Sequence, residues 1–290
     1  MRVGYLLSDK KLTKPIIQGL LHRPHSSLQW IPLSEPASIA SNLPLTAVLL
    51  RKRLTPQESA LLSALCLQHS ILLIDREPVP TISSRTQMLN FIEDQLTASI
   101  NNNLHPAHLS APPRLNLSQA TTLINRGIPI VCKEDCASNH NLKIIWTLEG
   151  LDSINGQGCV LQPWIPHANR LYKVFVIGKV VRVVVRKSIT LPLCVPPGGV
   201  FMFNTQLMDR EPVAEGDYGR IGAQLLESVA LEIGQRLGIS VFGFDVIRSE
   251  GGSMLYLIDI NYFPGFDGVP DASELLYQHI VALCEKEVRE

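Results

Sequence analysis

The sequence predicts an α/β (α+β) protein that opens with a small α/β lobe, and two observations indicate this. In the first 83 residues, short apolar runs alternate with segments whose apolar residues recur at helical spacing, a pattern typical of strands joined by helices. The chain has 290 residues, which is more than one typical domain, so we expect two or three lobes.

The first lobe is predicted to span residues 1–83. Its expected elements are a strand at 3–7, a helix at about 12–21, a strand at 47–50, a helix at 55–68 and a strand at 70–74. The second helix has the clearest start, because Thr55 supplies a capping hydroxyl, Pro56 suits the first helical position and Glu58 completes a capping box. The prolines at 78 and 80 mark the exit from this lobe.

The rest of the chain mixes strands with three helices. We predict a helix at 86–99, a loop at 101–113, strands at 128–133, 158–162, 172–177 and 180–186, a turn at Gly178, and helices at 219–237 and from Ser273 to the C-terminus. Residues 241–247 predict one further strand, and the apolar run that ends at Asn261 predicts the last.

Composition limits the classes of partner. Lys and Arg number 26, as do Asp and Glu, so no overall charge favours nucleic acid or an acidic membrane surface. There is neither a signal-peptide pattern nor an apolar run long enough for a membrane span, and we expect a cytoplasmic monomer. The six cysteines are scattered, which favours reduced buried thiols over disulfides or a zinc site.

The most informative feature is a pair of aspartates in a predicted hairpin. Glu250 and Gly251 begin a turn signal between the last two strands, and a turn centred at residue 252 places Asp245 opposite Asp259. Asn261 lies two residues beyond Asp259, on the same strand face. Facing carboxylates repel unless one is protonated or a cation lies between them. Two carboxylates and an amide oxygen therefore predict a Mg²⁺ site.

Two lysines at apolar strands extend this prediction. Lys133 ends one strand and Lys173 lies within another, and an ammonium in an apolar strand needs either an anion or a route to water. For Lys173, a solvent-facing position on a half-exposed sheet is an equally open interpretation. Beside a Mg²⁺ site, such lysines suit phosphoryl transfer from ATP. Neither a P-loop nor a dinucleotide-binding glycine motif is present.

The chain resembles the inositol 1,3,4-trisphosphate 5/6-kinase (inositol-tetrakisphosphate 1-kinase) family, which has the ATP-grasp fold. The segment from Asp259 to Phe266, with sequence DINYFPGF, is close to the family motif DINxFPGY. Three further blocks occur in the family order, at 3–11, 171–178 and 203–206. The resemblance covers nearly the whole chain and implies an ATP-grasp domain at 84–290, with a central lobe at about 113–165 and a C-terminal lobe at about 166–290.

The resemblance also implies roles for individual residues. The residues that it implies for ATP binding are Arg85, Lys133, Gln162, Lys173, Ser188, Thr205 and Asp259. Those that it implies for substrate binding are Lys11, His140, Lys173, Asn261 and Gly265. It implies two magnesium ions, with Asp245, Asp259 and Asn261 as their ligands. Lys173, His140 and Asp259 are expected to be catalytic, with His140 as a hypothetical general base. His167 also matches a family histidine, but we interpret it as an ordinary loop residue.

Several alternatives remain open from the residues alone. Arg85 could lie exposed near a helix start, Thr205 could be an ordinary surface hydroxyl, and Gly265 could be a turn residue with positive φ. Asp267 is expected to lie outside the metal shell. The segment 134–139 is shorter than in the family, and Lys52-Arg53-Leu54-Thr55 stands where the family has HKLT.

The expected function is an ATP- and Mg²⁺-dependent kinase that phosphorylates a hydroxyl of an inositol tris- or tetrakisphosphate. Two alternatives use the same fold. One is an ATP-grasp ligase that joins a carboxylate to an amine through an acyl phosphate. The other is a non-catalytic protein that binds inositol phosphates or nucleotides, which the shortened segment 134–139 suggests.

Overall fold

The computed structural model describes residues 1–24, 26–52, 54–75, 79–101, 108–136, 140–154, 158–205, 223–251 and 254–289. Within these residues the strands form three sheets: one of four strands, one of five and another of four. Arg53, residues 137–139 of the shortened segment and Gln206 lie outside the described residues, so the predictions made for them do too.

The N-terminal part alternates strands and helices as predicted. Its elements are β1 (Arg2–Leu7), α1 (Asp9–Leu12), α2 (Pro15–Leu21), β2 (Gln29–Pro32), α3 (Ser38–Ser41), β3 (Ala47–Arg51), α4 (Pro56–Gln68) and β4 (Leu72–Ile74). The strands form a parallel sheet in the order β2-β1-β3-β4. The capping box of α4 is confirmed: Thr55 Oγ1 accepts a hydrogen bond from Glu58 N at 3.2 Å, and Thr55 N donates to the Glu58 carboxylate at 2.7 Å.

The helix predicted at about 12–21 is confirmed as α2 from Pro15 to Leu21, but its predicted start at residue 12 is wrong. Lys14 has an extended backbone, with φ −71° and ψ 136°, so the chain forms α1 and α2 separately. Pro15 explains the break, because a proline disfavours helical backbone at the residue before it and lacks the N–H of an interior position.

The connecting segment contains α5 (Val79–Ser83), α6 (Arg85–Phe91), a π-helical turn (Ile92–Thr97), α7 (Ala98–Asn101) and β5 (His108–Ser110). The helix expected at 86–99 is confirmed, but the loop expected at 101–113 includes β5. This strand pairs in parallel with a strand almost 150 residues later in the chain, so local sequence gave little indication of it.

The central sheet is small and antiparallel. Its region comprises α8 (Leu117–Asn125), β6 (Ile130–Glu134), β7 (Asn141–Ile145), α9 (Leu148–Asp152) and β8 (Cys159–Pro163). A later strand, β11 (Val200–Asn204), joins β7 at the edge, giving the order β11-β7-β6-β8. The sequence predicted β6 and β8 but missed α8, β7, α9 and β11.

The C-terminal sheet has the strand order β10-β9-β12-β13-β5. Its remaining elements are β9 (Arg170–Ile177), β10 (Val180–Lys187), α10 (Ala223–Leu237), β12 (Val241–Arg248), β13 (Met254–Tyr262) and α11 (Ala272–Arg289). Gly178 has φ 60° in the turn between β9 and β10, as the sequence predicted. Among the described residues, no helix combines the length and apolar character needed to cross a bilayer.

One hydrophobic core joins the two ends of the chain. Val3, Ile17 and Leu49 of the N-terminal part belong to the same buried cluster as Phe175 of β9 and Leu276 of α11. The Ser273 hydroxyl also donates a hydrogen bond to the Ile16 carbonyl of α2 at 3.2 Å. Helix α11 contacts α2 and β4 of the N-terminal part as well as β9, so it joins the N-terminal part to the sheet that contains the candidate metal residues.

Candidate active site

A row of charged side chains crosses three strands of the C-terminal sheet. In the antiparallel register, Lys173 on β9 is paired with Asp245 on β12, and Asp245 is paired with Asp259 on β13. The predicted opposition of the two aspartates is confirmed. Directly paired residues of neighbouring strands share one face of a sheet, so the row juxtaposes one ammonium and two carboxylates.

A β-bulge lies beside this row. The register shifts by one residue between Asp245 and Val246, because Val246 pairs with Leu257 whereas Asp245 pairs with Asp259. Ile258 is the extra residue and lines the cleft described below. Such bulges redirect side chains near functional sites, and here Ile258 and Asp259 can both serve the same side of the sheet.

Each carboxylate of the row has a cationic neighbour. Lys173 Nζ donates to Asp245 Oδ2 at 2.7 Å, and Arg85 Nη1 lies 3.6 Å from Asp259 Oδ1. Burial, reinforced by the charge of Asp259, raises the pKa of Asp245, while the Lys173 ammonium opposes this rise. The row is thus a compact site where two negative charges are compensated by two positive ones.

Arg85 is held in place by the end of β6. It is 6% exposed, so the exposed position considered from the sequence is excluded. Its Nε donates to the Glu134 carbonyl at 3.1 Å, and its backbone N–H donates to the Asp135 carbonyl at 2.7 Å. The Asp135 carboxylate accepts from the Ser84 hydroxyl and from Thr86 N–H, and these bonds fix the start of α6 against the central sheet.

A cleft lies between the central and C-terminal sheets. Several of its lining side chains are apolar and come from both sheets, namely Val131, Leu142, Ile144, Phe203, Ile247 and Ile258. Lys133, Gln162 and Ser188, three of the residues expected to bind ATP, line the same cleft. An apolar slot with a few polar groups is typical of sites for small molecules and cofactors.

Lys133 links the cleft to the charged row. Burial and the neighbouring Arg85 guanidinium lower its pKa to about 8, while the negative charges of Asp259 and Asp245 act in the opposite direction. Gln162 is 3% exposed and its amide donates to the Pro112 carbonyl at 3.2 Å. The cleft therefore leads from buried polar groups toward the carboxylates.

His167 is not the ordinary loop residue that we expected. It is 7% exposed, lines the cleft, and has Trp164 as a ring neighbour, with 5.2 Å between centroids. Its Nδ1 lies 2.6 Å from the Ile165 carbonyl oxygen and its Nε2 lies 2.7 Å from the Ser188 hydroxyl. The sequence signal was the match to a family histidine, but only the fold brings this ring to Ser188.

His140 and Thr205 lie next to each other. Thr205 donates to the His140 carbonyl from its backbone N–H at 2.9 Å and from its hydroxyl at 3.3 Å. The Thr205 hydroxyl therefore helps to position His140 and is not an ordinary surface hydroxyl. Burial lowers the pKa of His140, with Arg85 and Lys10 acting in the same direction and Asp259 opposing them.

The end of β13 is held by two cations from the N-terminal sheet region. Lys11 Nζ donates to the Phe263 carbonyl at 3.1 Å. The Arg51 guanidinium lies 4.1 Å from the Tyr262 ring centroid and 3.4 Å from that of Phe263, close enough for cation–π attraction. Arg51 was not among the predicted site residues, although it ends the apolar strand β3 as Lys133 ends an apolar run.

Asn261 and Gly265 flank this held segment. Asn261 is partly buried and pairs with Gly243 on β12. Gly265 does not have the positive φ that was one interpretation of its sequence position. Two residues near it do have left-handed backbone, Phe263 with φ 43° and Phe266 with φ 55°. The Asp267 carboxylate lies on the Gly265 side of the turn, where a Cβ on Gly265 would come within 3.2 Å of its oxygens.

The donor set suits a hard cation. Asp245, Asp259 and Asn261 supply carboxylate and amide oxygens, which Mg²⁺ prefers, and Mg²⁺ usually completes its shell with water and substrate phosphates. In the described part of the chain, no group of three or more His, Cys, Asp or Glu side chains could hold a metal ion by itself. Two carboxylates and one amide oxygen would leave part of an octahedral Mg²⁺ shell open to other oxygen ligands.

Comparison with known proteins identifies relatives along the whole chain. The family model of the inositol 1,3,4-trisphosphate 5/6-kinase ATP-grasp domain matches residues 108–193 and 202–282. Inositol-tetrakisphosphate 1-kinase of Danio rerio is 27% identical over 99% of this chain and 80% of its own length. The Xenopus laevis protein of the same name is 28% identical over 98% of this chain and 79% of its own length.

Solved structures show the same fold. D-alanine–D-alanine ligase from Bacillus anthracis, complexed with ATP, has a TM-score of 0.59 and 14% identity, covering 100% of this chain and 99% of its own. A RimK-domain ATP-grasp protein from Sphaerobacter thermophilus has a TM-score of 0.58 and 16% identity, covering 97% of this chain and 100% of its own. At these identities the likeness shows the ATP-grasp fold alone.

Proposed function

Because the chain belongs to the inositol 1,3,4-trisphosphate 5/6-kinase family and has the ATP-grasp fold, we propose that it is an ATP- and Mg²⁺-dependent inositol polyphosphate kinase. It transfers the γ-phosphoryl group of ATP to a hydroxyl of an inositol tris- or tetrakisphosphate. In this proposal residues 1–83 form the substrate-binding lobe and residues 84–290 form the ATP-grasp domain.

The charged row is the observation that supports the proposal most strongly. Two carboxylates lie opposite each other, one bonded to Lys173 and the other beside Arg85, next to a cleft lined by Lys133. Phosphoryl transfer places charge on the transferring group and needs little covalent chemistry from the protein, so catalysis depends on position and charge compensation. This row supplies both.

The protein residues have distinct tasks in the proposed reaction. Asp245, Asp259 and Asn261 would hold Mg²⁺, which neutralises phosphate charge and orients the phosphates when bound. Lys133 and Arg85 bind ATP phosphates, and Lys173 binds between the nucleotide and the acceptor. Gln162, Ser188 and Thr205 are assigned to the nucleotide side, by similarity to the family.

The acceptor side is built around the end of β13. Lys11 already reaches the Phe263 carbonyl, so its ammonium lies near the strand end that contains Asn261. Together with His140, Asn261 and Gly265, it would bind the phosphates and hydroxyls of the inositol ring. The several cations around this strand end favour a polyphosphate acceptor over an amino acid, which is the main argument against the ligase alternative.

The decisive experiment measures ATP turnover with Mg²⁺ against a panel of inositol tris- to hexakisphosphates, with products resolved by anion exchange. Asp259→Asn should lower kcat by at least about 100-fold, because it removes one of the two carboxylates that would hold Mg²⁺ at the phosphates. Asp271→Asn is the matched control. Asp271 also forms an ion pair, with Arg182, but both side chains of that pair are about 40% exposed.

Three other outcomes would each change the assignment. ADP release that requires an amine and a carboxylate would indicate the ligase. ATP binding without any phosphorylated product would indicate the binding protein. Equal activity in wild type and Asp259→Asn would remove Asp259 from the active site.

A further inference from the structure

The hydrogen bonds of His167 determine where its ring proton lies. Nδ1 is 2.6 Å from the Ile165 carbonyl oxygen, and a carbonyl can only accept. Nδ1 must therefore have the proton. Burial lowers the pKa of His167, although Glu250 and the bond to Ile165 oppose this effect, so the ring is neutral at pH 7. In a neutral ring with Nδ1 protonated, Nε2 is an acceptor.

This tautomer fixes the direction of the next hydrogen bond. Nε2 lies 2.7 Å from Ser188 Oγ, and because Nε2 accepts, the serine hydroxyl must donate to it. A hydroxyl has one proton and two lone pairs. With its proton directed to His167, Ser188 can offer only lone pairs to a ligand in the cleft.

Ser188 lies far from the carboxylates. Val184 is the β10 partner of Lys173, and Ser188 is four residues further along, with its backbone N–H bonded to the Asn169 carbonyl at 2.8 Å. At about 3.3 Å per residue this corresponds to roughly 13 Å from the charged row. A nucleotide whose phosphates lie at Lys133 and the carboxylates therefore has its nucleoside end, not its phosphates, near Ser188.

We propose that His167 makes Ser188 an obligate hydrogen-bond acceptor for the nucleotide base, and that this pair selects a base with an amino group at position 6 over one with a carbonyl there. An amino group donates to Ser188, whereas a carbonyl would place two acceptors against each other. His167 acts through Ser188 and is a positioning residue for specificity. The inference rests on the proposed use of ATP by this site.

The test compares the affinities of ATP and ITP, which differ in the amino or carbonyl group at position 6, by isothermal titration calorimetry on the full chain. Wild type should prefer ATP by about tenfold, the upper range for one hydrogen bond. In His167→Phe, which keeps an aromatic ring beside Trp164, the serine hydroxyl can turn and donate, so the ratio should fall below about threefold. Ser188→Ala should give the same fall and Ser188→Thr should keep the wild-type ratio.

Thr190→Val is the matched control. The Thr190 hydroxyl accepts a bond from the Asn169 amide at 2.8 Å, between the same two chain segments, but it does not line the cleft. This variant should keep the wild-type ratio. If His167→Phe fails to fold, Ser188→Ala still tests whether the Ser188 hydroxyl contacts position 6 of the base, because it removes a single oxygen at the end of a strand.

An equal ATP-to-ITP ratio in wild type and Ser188→Ala would overturn the proposal. The proposal would also be overturned if Ser188→Ala kept the preference for ATP over ITP but lost a preference for ATP over 2′-deoxy-ATP. That result would mean that Ser188 contacts the ribose and not the base. These experiments measure binding and not turnover. A protein that binds ATP selectively but phosphorylates no inositol phosphate would therefore refute the proposed kinase activity and leave this inference standing. A wild type that binds neither nucleotide would refute both.

Discussion

The buried charges of the active site depend on one another residue by residue. The Asp245 side chain is 13% exposed and the Lys173 side chain 24%, and the two are bonded at 2.7 Å. Removing one member of such a pair leaves the other charge poorly solvated, which is costlier than replacing both. Substitution of Lys173 therefore removes a charge that favours the ionised form of Asp245 and also removes the bond that holds its carboxylate.

His140 is the residue for which pH dependence tests the mechanism. Burial lowers its pKa below the ordinary value of 6.5, so the ring is neutral and able to accept a proton at pH 7. If it is the general base, kcat should fall as pH decreases through that lowered pKa, because the ring becomes protonated. His140→Gln should lower kcat by about 10²-fold to 10⁴-fold and abolish this acidic limb.

The measurement is the pH profile of kcat between pH 5 and 8, with His22→Gln as the control, since His22 is an exposed histidine in the N-terminal part. A variant with unchanged kcat and pH profile but a raised KM would show that His140 only binds the substrate.

Single-residue predictions succeeded where the chemistry is local. The opposition of the aspartates was predicted from a turn centred at residue 252, but the residues next to the turn pair one position away from that register, as Arg248 does with Leu255. The bulge at Ile258 shifts the register so that Asp245 does face Asp259. His167 and Arg51 could not be assigned in the same way. Their importance depends on partners distant in sequence, namely Ser188 for the former and Tyr262 with Phe263 for the latter.

At the scale of elements, α4 shows how strongly a helix end depends on its first residues. Both bonds of the Thr55–Glu58 capping box are present, and these bonds hold the pKa of Glu58 below its usual value. Thr55→Ala removes the side-chain acceptor and should lower the free energy of unfolding by about 1 kcal/mol. Urea denaturation followed by far-ultraviolet circular dichroism would measure this change.

Thr122→Ala is the comparison for that experiment. Thr122 is an exposed threonine within α8, not at a helix start, and alanine is a better helix former than threonine. Its substitution should change stability by less than about 0.5 kcal/mol. Equal effects of the two substitutions would mean that the capping box contributes no specific stability.

Elements with strong local signals were predicted and weak ones were missed. The hairpin of β9 and β10, the cap of α4 and the long helices all have patterns contained in their own residues. The missed strand β5 has three residues, and β11 lies at the edge of its sheet. Whether such a segment forms a strand depends on the sheet that it joins. Tertiary contacts therefore determine these strands more than the β-propensity of their own residues does.

At the scale of the whole molecule, Asp75 joins the N-terminal sheet to the start of β12. Its carboxylate accepts bonds from Ser240 N at 2.9 Å, from the Ser240 hydroxyl at 2.8 Å and from Val241 N at 2.6 Å. The Tyr262 hydroxyl donates to the Asp75 carbonyl. Both strands that contain the active-site aspartates are thereby tied to the N-terminal sheet.

Asp75→Asn tests this connection. Asp75 has φ 49°, a conformation that asparagine also tolerates, so the substitution changes the acceptors and not the backbone. The new amide group would face a buried N–H, and we expect a loss of about 1–3 kcal/mol in the free energy of unfolding. Ser240→Ala removes only one of the three bonds and should cost less. An unchanged midpoint in chemical denaturation of Asp75→Asn would contradict this account.

The fold of the whole molecule was predicted from the family resemblance more than from the predicted helices and strands. The motif at 259–266 implied the ATP-grasp fold, and the comparisons confirm it. The shared core between α11 and the N-terminal sheet was not predicted, because the pattern of one helix does not show which sheet it packs against.

The parallel pairing of β5 with β13 has a consequence for the order of events during synthesis. Residues 108–110 are made long before their partners at 254–256. At about 5–20 residues per second, the ribosome needs on the order of 10 to 30 seconds to cover this interval. During that time β5 can pack against α7 and the π-helical turn but lacks its strand partner β13, and the apolar faces that α11 later covers are exposed. The nascent chain thus passes through a period of exposure to chaperones and proteases that lasts at least until α11 emerges.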